Sequence, residues 1–306
     1  MKLRHILSTQ QFLDDHVLAE IFQLATEVEK KDRENNLSPV LKGKMLATIF
    51  YEPSTRTRFS FESAMQKLGG SVISTENAHN FSSAMKGESL QDTIRTVCQY
   101  ADVIILRHSE EGSSEIAARF SAVPVINAGD GTGEHPTQAL LDLYTIWKKF
   151  GKIASLNIAF VGDLLYGRTI HSLVYLLSLY KGIRIYFISP RQLRIPEKYK
   201  TFLNQRGVQF EERRDLGDLR DIDILYVTRT QKERFSTELE YENVKNSYII
   251  TRDILQGMKE NAIIMHPLPR VTEIEENVDD DKRAVYFEQV KNGLYIRMAL
   301  LQMMLT

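Results

Sequence analysis

The chain has 306 residues, 43% hydrophobic and 26% charged, with 39 basic against 40 acidic side chains for a formal net charge of −1. That length exceeds the usual size of one core and predicts two domains. The balanced charge excludes a generally basic nucleic-acid or membrane-surface binder, so any anion site must be local.

The single cysteine, Cys98, excludes an intrachain disulfide and a cysteine-based metal cluster. It reads as a small buried hydrophobe. No apolar run approaches about 18 residues, and the start Met1-Lys2-Leu3-Arg4-His5 lacks a signal-peptide core. A cytoplasmic location is expected.

Short apolar runs alternate with longer amphipathic ones, the pattern of α/β domains in which a mostly parallel sheet is flanked by helices. Strands are expected over 44–51, 71–74, 102–107 and 123–127, with helices over 56–68, 89–100 and 112–120. A helix over 137–149 carries an apolar stripe of Leu140, Leu141, Leu143, Tyr144 and Trp147. Gly151 and Lys152 break it, and the pattern restarts at Asn157-Ile158-Ala159-Phe160-Val161. Further strands are expected near 184–188, 208–211, 223–227 and 262–265, with helices near 168–180, 195–206 and 251–257. The acidic segment 276–283 reads as a surface loop and 285–305 as a long helix. The expected division is 1–136 plus 290–306 against 137–289, joined by interdomain helices.

In open parallel sheets ligands bind beyond the carboxyl ends of the strands. After the first strand comes Pro53-Ser54-Thr55-Arg56-Thr57-Arg58, a hydroxyl-rich turn with two guanidiniums at a helix start. Free N–H groups, the helix dipole and the planar arginine fork suit a phosphate there. A plain helix cap with solvated arginines is the other reading. Arg107 follows the third strand, either as a surface cation or as part of the same anion site. After the fourth, a glycine-rich loop leads to His135-Pro136-Thr137-Gln138. Pro136 suits a first helical turn, where the dipole favours a neutral His135 donating one hydrogen bond. Gln138, one turn on, projects to the same side.

In the second half, Asp163-Leu164-Leu165-Tyr166-Gly167-Arg168-Thr169 follows a buried strand without the G-x-G-x-x-G spacing of dinucleotide sites. Thr228-Arg229-Thr230-Gln231-Lys232-Glu233-Arg234 and His266-Pro267-Leu268-Pro269-Arg270 follow two later strands. The first half thus offers groups for a phosphate and a polarised carbonyl, and the second offers Arg168 and Arg229 for paired carboxylates. The inventory is electrostatic clamping and positioning without an obvious covalent nucleophile.

From Ser54-Thr55-Arg56-Thr57-Arg58 through His135-Pro136-Thr137-Gln138 to His266-Pro267-Leu268-Pro269, the chain resembles the aspartate/ornithine carbamoyltransferase family over nearly its whole length. Pro267 stands where the ornithine branch carries cysteine, and Arg229 with Gln231 resembles the aspartate-binding motif. The resemblance therefore implies carbamoyl transfer from carbamoyl phosphate to L-aspartate in pyrimidine synthesis, with a carbamoyl phosphate-binding and an aspartate-binding domain.

Residue by residue, it implies that Ser54, Thr55, Arg56 and Thr57 hold the phosphate. Thr57, Arg107 and His135 would polarise the carbonyl oxygen. Gln138 and the backbone of Pro267 and Leu268 would orient the carbamoyl NH₂. Arg168, Arg229 and Gln231 would bind aspartate, and Ser82 and Lys86 would enter a neighbouring subunit's site in a homotrimer. No cofactor or metal is implied in this chain; some family members add a zinc-containing regulatory chain or a dihydroorotase. A different amine acceptor, or a non-catalytic sensor of phosphorylated metabolites, are the rival readings.

Overall fold

The structure, a computed structural model, describes residues 3–78, 86–131, 133–232, 235, 237–245 and 247–306. The chain divides into two compact units, Met1–Tyr144 with Val290–Thr306, and Thr145–Gln289.

In the first unit, β1 (Met45–Phe50), β2 (Ser71–Glu76), β3 (Val103–His108) and β4 (Val125–Asp130) form a parallel sheet in the order β2-β1-β3-β4. Val103, Ile104, Ile105 and Leu106 are all fully buried, the mark of a central strand covered on both faces. Ile6 extends the β4 edge, donating to Val125 O at 2.9 Å and accepting from Asn127 N at 2.7 Å.

β4 runs three residues into the expected glycine loop. Asn127 Oδ1 accepts from Gly129 N at 2.7 Å, and the register shifts between Leu106 and His108, which lets the strand continue to Asp130. The sequence reading places no element before residue 44, yet Asp15–Arg33 forms a helix, α1. Its buried Val17, Leu18, Ile21, Phe22, Ala25 and Val28 follow helical spacing, and Asp14 caps it by accepting from His16 N.

α2 (Thr55–Lys67), α3 (Leu90–Val97) and α4 (Ser113–Phe120) follow their strands. Cys98 ends α3 only half-buried, its Sγ 3.2 Å from Ser121 Oγ, rather than in the core.

In the second unit, β5 (Asn157–Val161), β6 (Arg184–Ile188), β7 (Gln209–Arg213), β8 (Ile224–Val227) and β9 (Ile263–Met265) pair in parallel in the order β7-β6-β5-β8-β9. Val161, Ile188, Leu225, Val227 and Ile264 anchor its core. The acidic segment expected to be a loop contains a short 3₁₀ helix, Glu276–Asp280, because Val278 is buried and Asp279 is paired with Arg270 and Tyr286.

Two long helices cross the boundary between the units in sequence: α5 (Pro136–Phe150) and α10 (Tyr286–Leu305). Between them in sequence lie α6 (Arg168–Leu177), α7 (Glu197–Gln205), α8 (Glu238–Glu242) and α9 (Arg252–Gln256). No described helix is long and apolar enough to cross a membrane.

Each sheet has one switch point, where strand order reverses: between β1 and β3 in the first, between β5 and β8 in the second. The loops leaving those strands are where ligands bind in such sheets.

Candidate active site

At the first switch point the chain leaves β1 and enters α2 at Thr55. Ser54 holds the N-cap position with φ −159° but makes no side-chain cap bond, so its hydroxyl is not used to close the first turn. The first-turn N–H groups and the hydroxyls of Ser54, Thr55 and Thr57 gather at one helix end. Thr57 is buried and Arg56 half-buried. Arg58 is instead committed to Glu76 at 3.2 Å and Glu62 at 3.8 Å, so only one of the two guanidiniums in this turn belongs to the candidate site.

Arg107, at the end of β3, points its Nη2 at Glu52 Oε2 at 3.4 Å and donates from Nη1 to Ala128 O at 3.1 Å. Those contacts tie its fork between the turn after β1 and the end of β4. The loop after β4 is pinned because Glu134 accepts from Ser8 Oγ at 2.7 Å and Thr9 N at 2.5 Å. It delivers His135, 4% exposed, to the start of α5, where Pro136 is the first helical residue. Gln138, one turn on, donates from Nε2 to Asp142 Oδ1 at 2.9 Å. Lys86 is exposed, and Ser82 lies outside the described residues.

At the second switch point, Asp163 follows β5 and has no exposed surface. Its Oδ1 accepts from Tyr166 N at 2.9 Å, its Oδ2 lies 3.5 Å from Gln231 N, and Gln231 Nε2 donates to Tyr166 O at 3.0 Å. Burial pushes its carboxyl up to about 6, against backbone N–H groups and the Arg229 charge that pull it down. Asp163 thus stitches the loop that leads to Arg168 to the loop carrying Gln231, and the Arg229 charge acts on the same carboxyl.

The same packing needs Gly162: at φ +115° a Cβ there would meet the Thr228 carbonyl. His171, on α6, holds the Arg168 loop through its Nε2 and Leu164 O at 2.8 Å; burial lowers its pKa to about 4, keeping it neutral.

Pro267 and Leu268 sit after β9 on a turn fixed by the His266 ring. Leu268 N donates to His266 Nδ1 at 2.7 Å, and His266 Nε2 lies 2.8 Å from Glu273 Oε1. The bond to Leu268 makes Nδ1 an acceptor, so Nε2 carries the proton that Glu273 accepts. Leu268 is held at φ +50°, a conformation that a leucine adopts only under such constraint.

Sequence reading missed the acidic residues that aim these groups: Glu52, Asp142, Asp163 and Glu273. Their only signal was adjacency to the motifs. Among the described residues, no group of three or more His, Cys, Asp or Glu could hold a metal ion.

Residues 4–148 match the family described as aspartate/ornithine carbamoyltransferase, carbamoyl-P binding domain, and residues 154–304 match its Asp/Orn binding domain. The chain belongs to the aspartate/ornithine carbamoyltransferase family.

Within that family, the chloroplastic aspartate carbamoyltransferase of Arabidopsis thaliana is 52% identical over 306 residues, covering 99% of this chain and 78% of the relative. The catalytic subunit of Methanocaldococcus jannaschii aspartate carbamoyltransferase is 51% identical, covering 98% and 97%. A solved structure of that M. jannaschii subunit superimposes with a TM-score of 0.91 at 50% identity, covering 99% and 98% of the two chains. A Trypanosoma cruzi aspartate transcarbamoylase in complex with carbamoyl phosphate and aspartate gives a TM-score of 0.95 at 37% identity, covering 100% and 98%. The two-domain parallel-sheet fold is that of the family, and the protein is a carbamoyltransferase enzyme.

Proposed function

We propose that the chain transfers the carbamoyl group of carbamoyl phosphate to the amino group of L-aspartate, giving N-carbamoyl-L-aspartate and phosphate. The observation that carries this reading is the pair of switch-point sites. One has hydroxyls, helix N–H groups and arginine at a helix start; in the other, Asp163 holds the loop leading to Arg168 against the loop carrying Gln231 and feels the Arg229 charge.

In this reading Ser54, Thr55, Arg56 and Thr57 bind the phosphate. Thr57, Arg107 and His135 donate to the carbamoyl oxygen as negative charge develops on it. Gln138 and the backbone of Pro267 and Leu268 receive the carbamoyl NH₂, while Arg168, Arg229 and Gln231 bind the two carboxylates.

The neutral amine attacks the carbamoyl carbon and forms the C–N bond of a tetrahedral intermediate. Collapse breaks the C–O bond to phosphate, whose oxygen takes the amine proton, so no protein base is required. The first unit is the carbamoyl phosphate-binding domain and the second the aspartate-binding domain.

A homotrimer in which Ser82 and Lys86 serve a neighbouring subunit belongs to the same proposal. Exposed Lys86 and the exposed apolar Phe59, Ile73 and Tyr100 of the first unit support it. A zinc-containing regulatory chain as a further partner, a place in pyrimidine synthesis and cytoplasmic residence complete the proposal.

The T. cruzi enzyme has been solved with N-(phosphonacetyl)-L-aspartic acid, a ligand that joins a phosphonate to a dicarboxylate. Titrating this chain with it tests the reading. Saturable binding that weakens in both Arg107→Ala and Arg229→Ala is expected; absence of binding, or indifference to Arg229, would overturn it.

A further inference from the structure

The Gln138 amide has two chemically opposite ends: the oxygen accepts hydrogen bonds and the nitrogen donates them. Its nitrogen donates to Asp142 Oδ1 at 2.9 Å. On an exposed helix face such an i, i+4 pair contributes little. This pair is not exposed, because Asp142 has no accessible surface at all.

A buried carboxylate persists when a partner compensates its charge. Arg297 of α10 is a cation coupled to the Asp142 charge; it is itself 4% exposed, with its guanidinium carbon 5.0 Å from the Phe61 ring centroid. Burial brings Arg297 down to about 10, with Asp142 acting in the other direction, so the guanidinium remains charged at neutral pH. Gly293, one turn back, makes the room: a Cβ there would stand 3.1 Å from Arg297 Nη1 and 2.8 Å from Leu141 Cδ2. Two buried charges and a glycine therefore stand behind one amide.

We propose that Asp142, coupled to the Arg297 charge, fixes the orientation of the Gln138 amide so that its oxygen is presented to the carbamoyl NH₂, making Asp142 and Arg297 positioning residues that set acyl-phosphate specificity. The inference rests on the carbamoyl phosphate reading above. Asp142 accepts from the amide nitrogen, so the amide oxygen faces away from it. A flipped amide would set two oxygens against each other at Asp142 and two donors against each other at the substrate. An acyl phosphate bearing methyl in place of NH₂ leaves that oriented oxygen without a donor, a loss sites of this kind use to reject analogues.

Acetyl phosphate is the probe. The ratio of its inhibition constant to the KM of carbamoyl phosphate measures the discrimination. Asp142→Asn, nearly isosteric but able to offer either end to Gln138, should lower that ratio about tenfold, the worth of one net hydrogen bond. Inhibition by inorganic phosphate should stay unchanged, which a merely structural defect would not allow.

Gln138→Ala should lower the ratio equally, and adding Asp142→Asn to it should do nothing further. Arg297→Gln supplies a second route to the same loss, should the Asp142 variant not fold. Unchanged discrimination in a folded Asp142→Asn, or equal weakening toward all three phosphates, would overturn the proposal. A wild-type chain that neither uses nor binds carbamoyl phosphate would sink the functional reading itself, an outcome distinguishable from these.

Discussion

Replacing Gly162 by alanine perturbs the loops proposed to bind aspartate from a residue that has no side chain of its own to touch a substrate. The backbone there has φ +115°, and a Cβ would collide with the Thr228 carbonyl oxygen and stand 2.9 Å from Thr228 Oγ1. The neighbour is backbone, held by Thr228 N donating to Val161 O at 2.9 Å, so it cannot swing aside as a side chain would. Backbone strain of this kind costs about 1–3 kcal/mol, and forcing atoms into a packed site costs a similar amount. A loss of about 3 kcal/mol, or about 6–12 °C in Tm for a unit of this size, is expected.

The least costly relaxation moves the loop after β8, and with it Arg229 and Gln231. The KM for aspartate should therefore rise at least tenfold, while inhibition by inorganic phosphate, a reporter of the first unit's site, stays within about twofold of wild type. Steady-state kinetics over aspartate concentration, paired with thermal melts, reads both. A normal aspartate KM in a clearly destabilised Gly162→Ala protein would refute the claim that this contact positions the aspartate loop.

Three further outcomes follow from the same geometry. His135→Ala and Thr57→Ala should fold normally yet lose about 100- to 1000-fold in kcat; near-normal turnover in either would remove that residue from the carbonyl-polarising group. Arg229→Ala should raise the aspartate KM and leave that of carbamoyl phosphate nearly unchanged, and an unaltered aspartate dependence would contradict its assignment. Asp163 titrates near 6 when folded, above its ordinary value near 3.8, so its share of stability is fully present below the lower value and lost as pH rises through the upper one. The loss amounts to about 3 kcal/mol. The stability of Asp163→Asn relative to wild type, from urea midpoints, should therefore improve from pH 4 to about pH 6 and level off above it, and a flat difference across that window would show that the buried carboxyl is not the cause.

The sheets and the motif loops were legible because buried parallel strands are apolar runs and their carboxyl ends carry dense polar motifs. Arg107, His135 and Gln138 could be picked out because each sits within a few residues of a strand end or helix start. The helix Asp15–Arg33 has an equally regular apolar spacing but lies far from any motif that marks a strand end. The extra length of β4 depends on a side-chain bond from Asn127 and a register shift against β3, neither of which has a sequence period.

The partners that aim the site were hidden for a different reason. Asp163 meets Gln231 across 68 positions of chain and Asp142 acts with Arg297 across a still longer gap. Nothing in a single sequence distinguishes those acids from the many solvated ones. Arg58 shows the converse, since it lies in the most suggestive motif of the chain yet pairs with Glu62 and Glu76.

On the proposed reading, the acceptor amine is that of L-aspartate. Incubating the purified chain with carbamoyl phosphate and either L-aspartate or L-ornithine, then identifying the carbamoylated product, tests it most directly. The expected product is N-carbamoyl-L-aspartate, with no citrulline. Citrulline formation, or no product from a folded protein that binds carbamoyl phosphate, would contradict it.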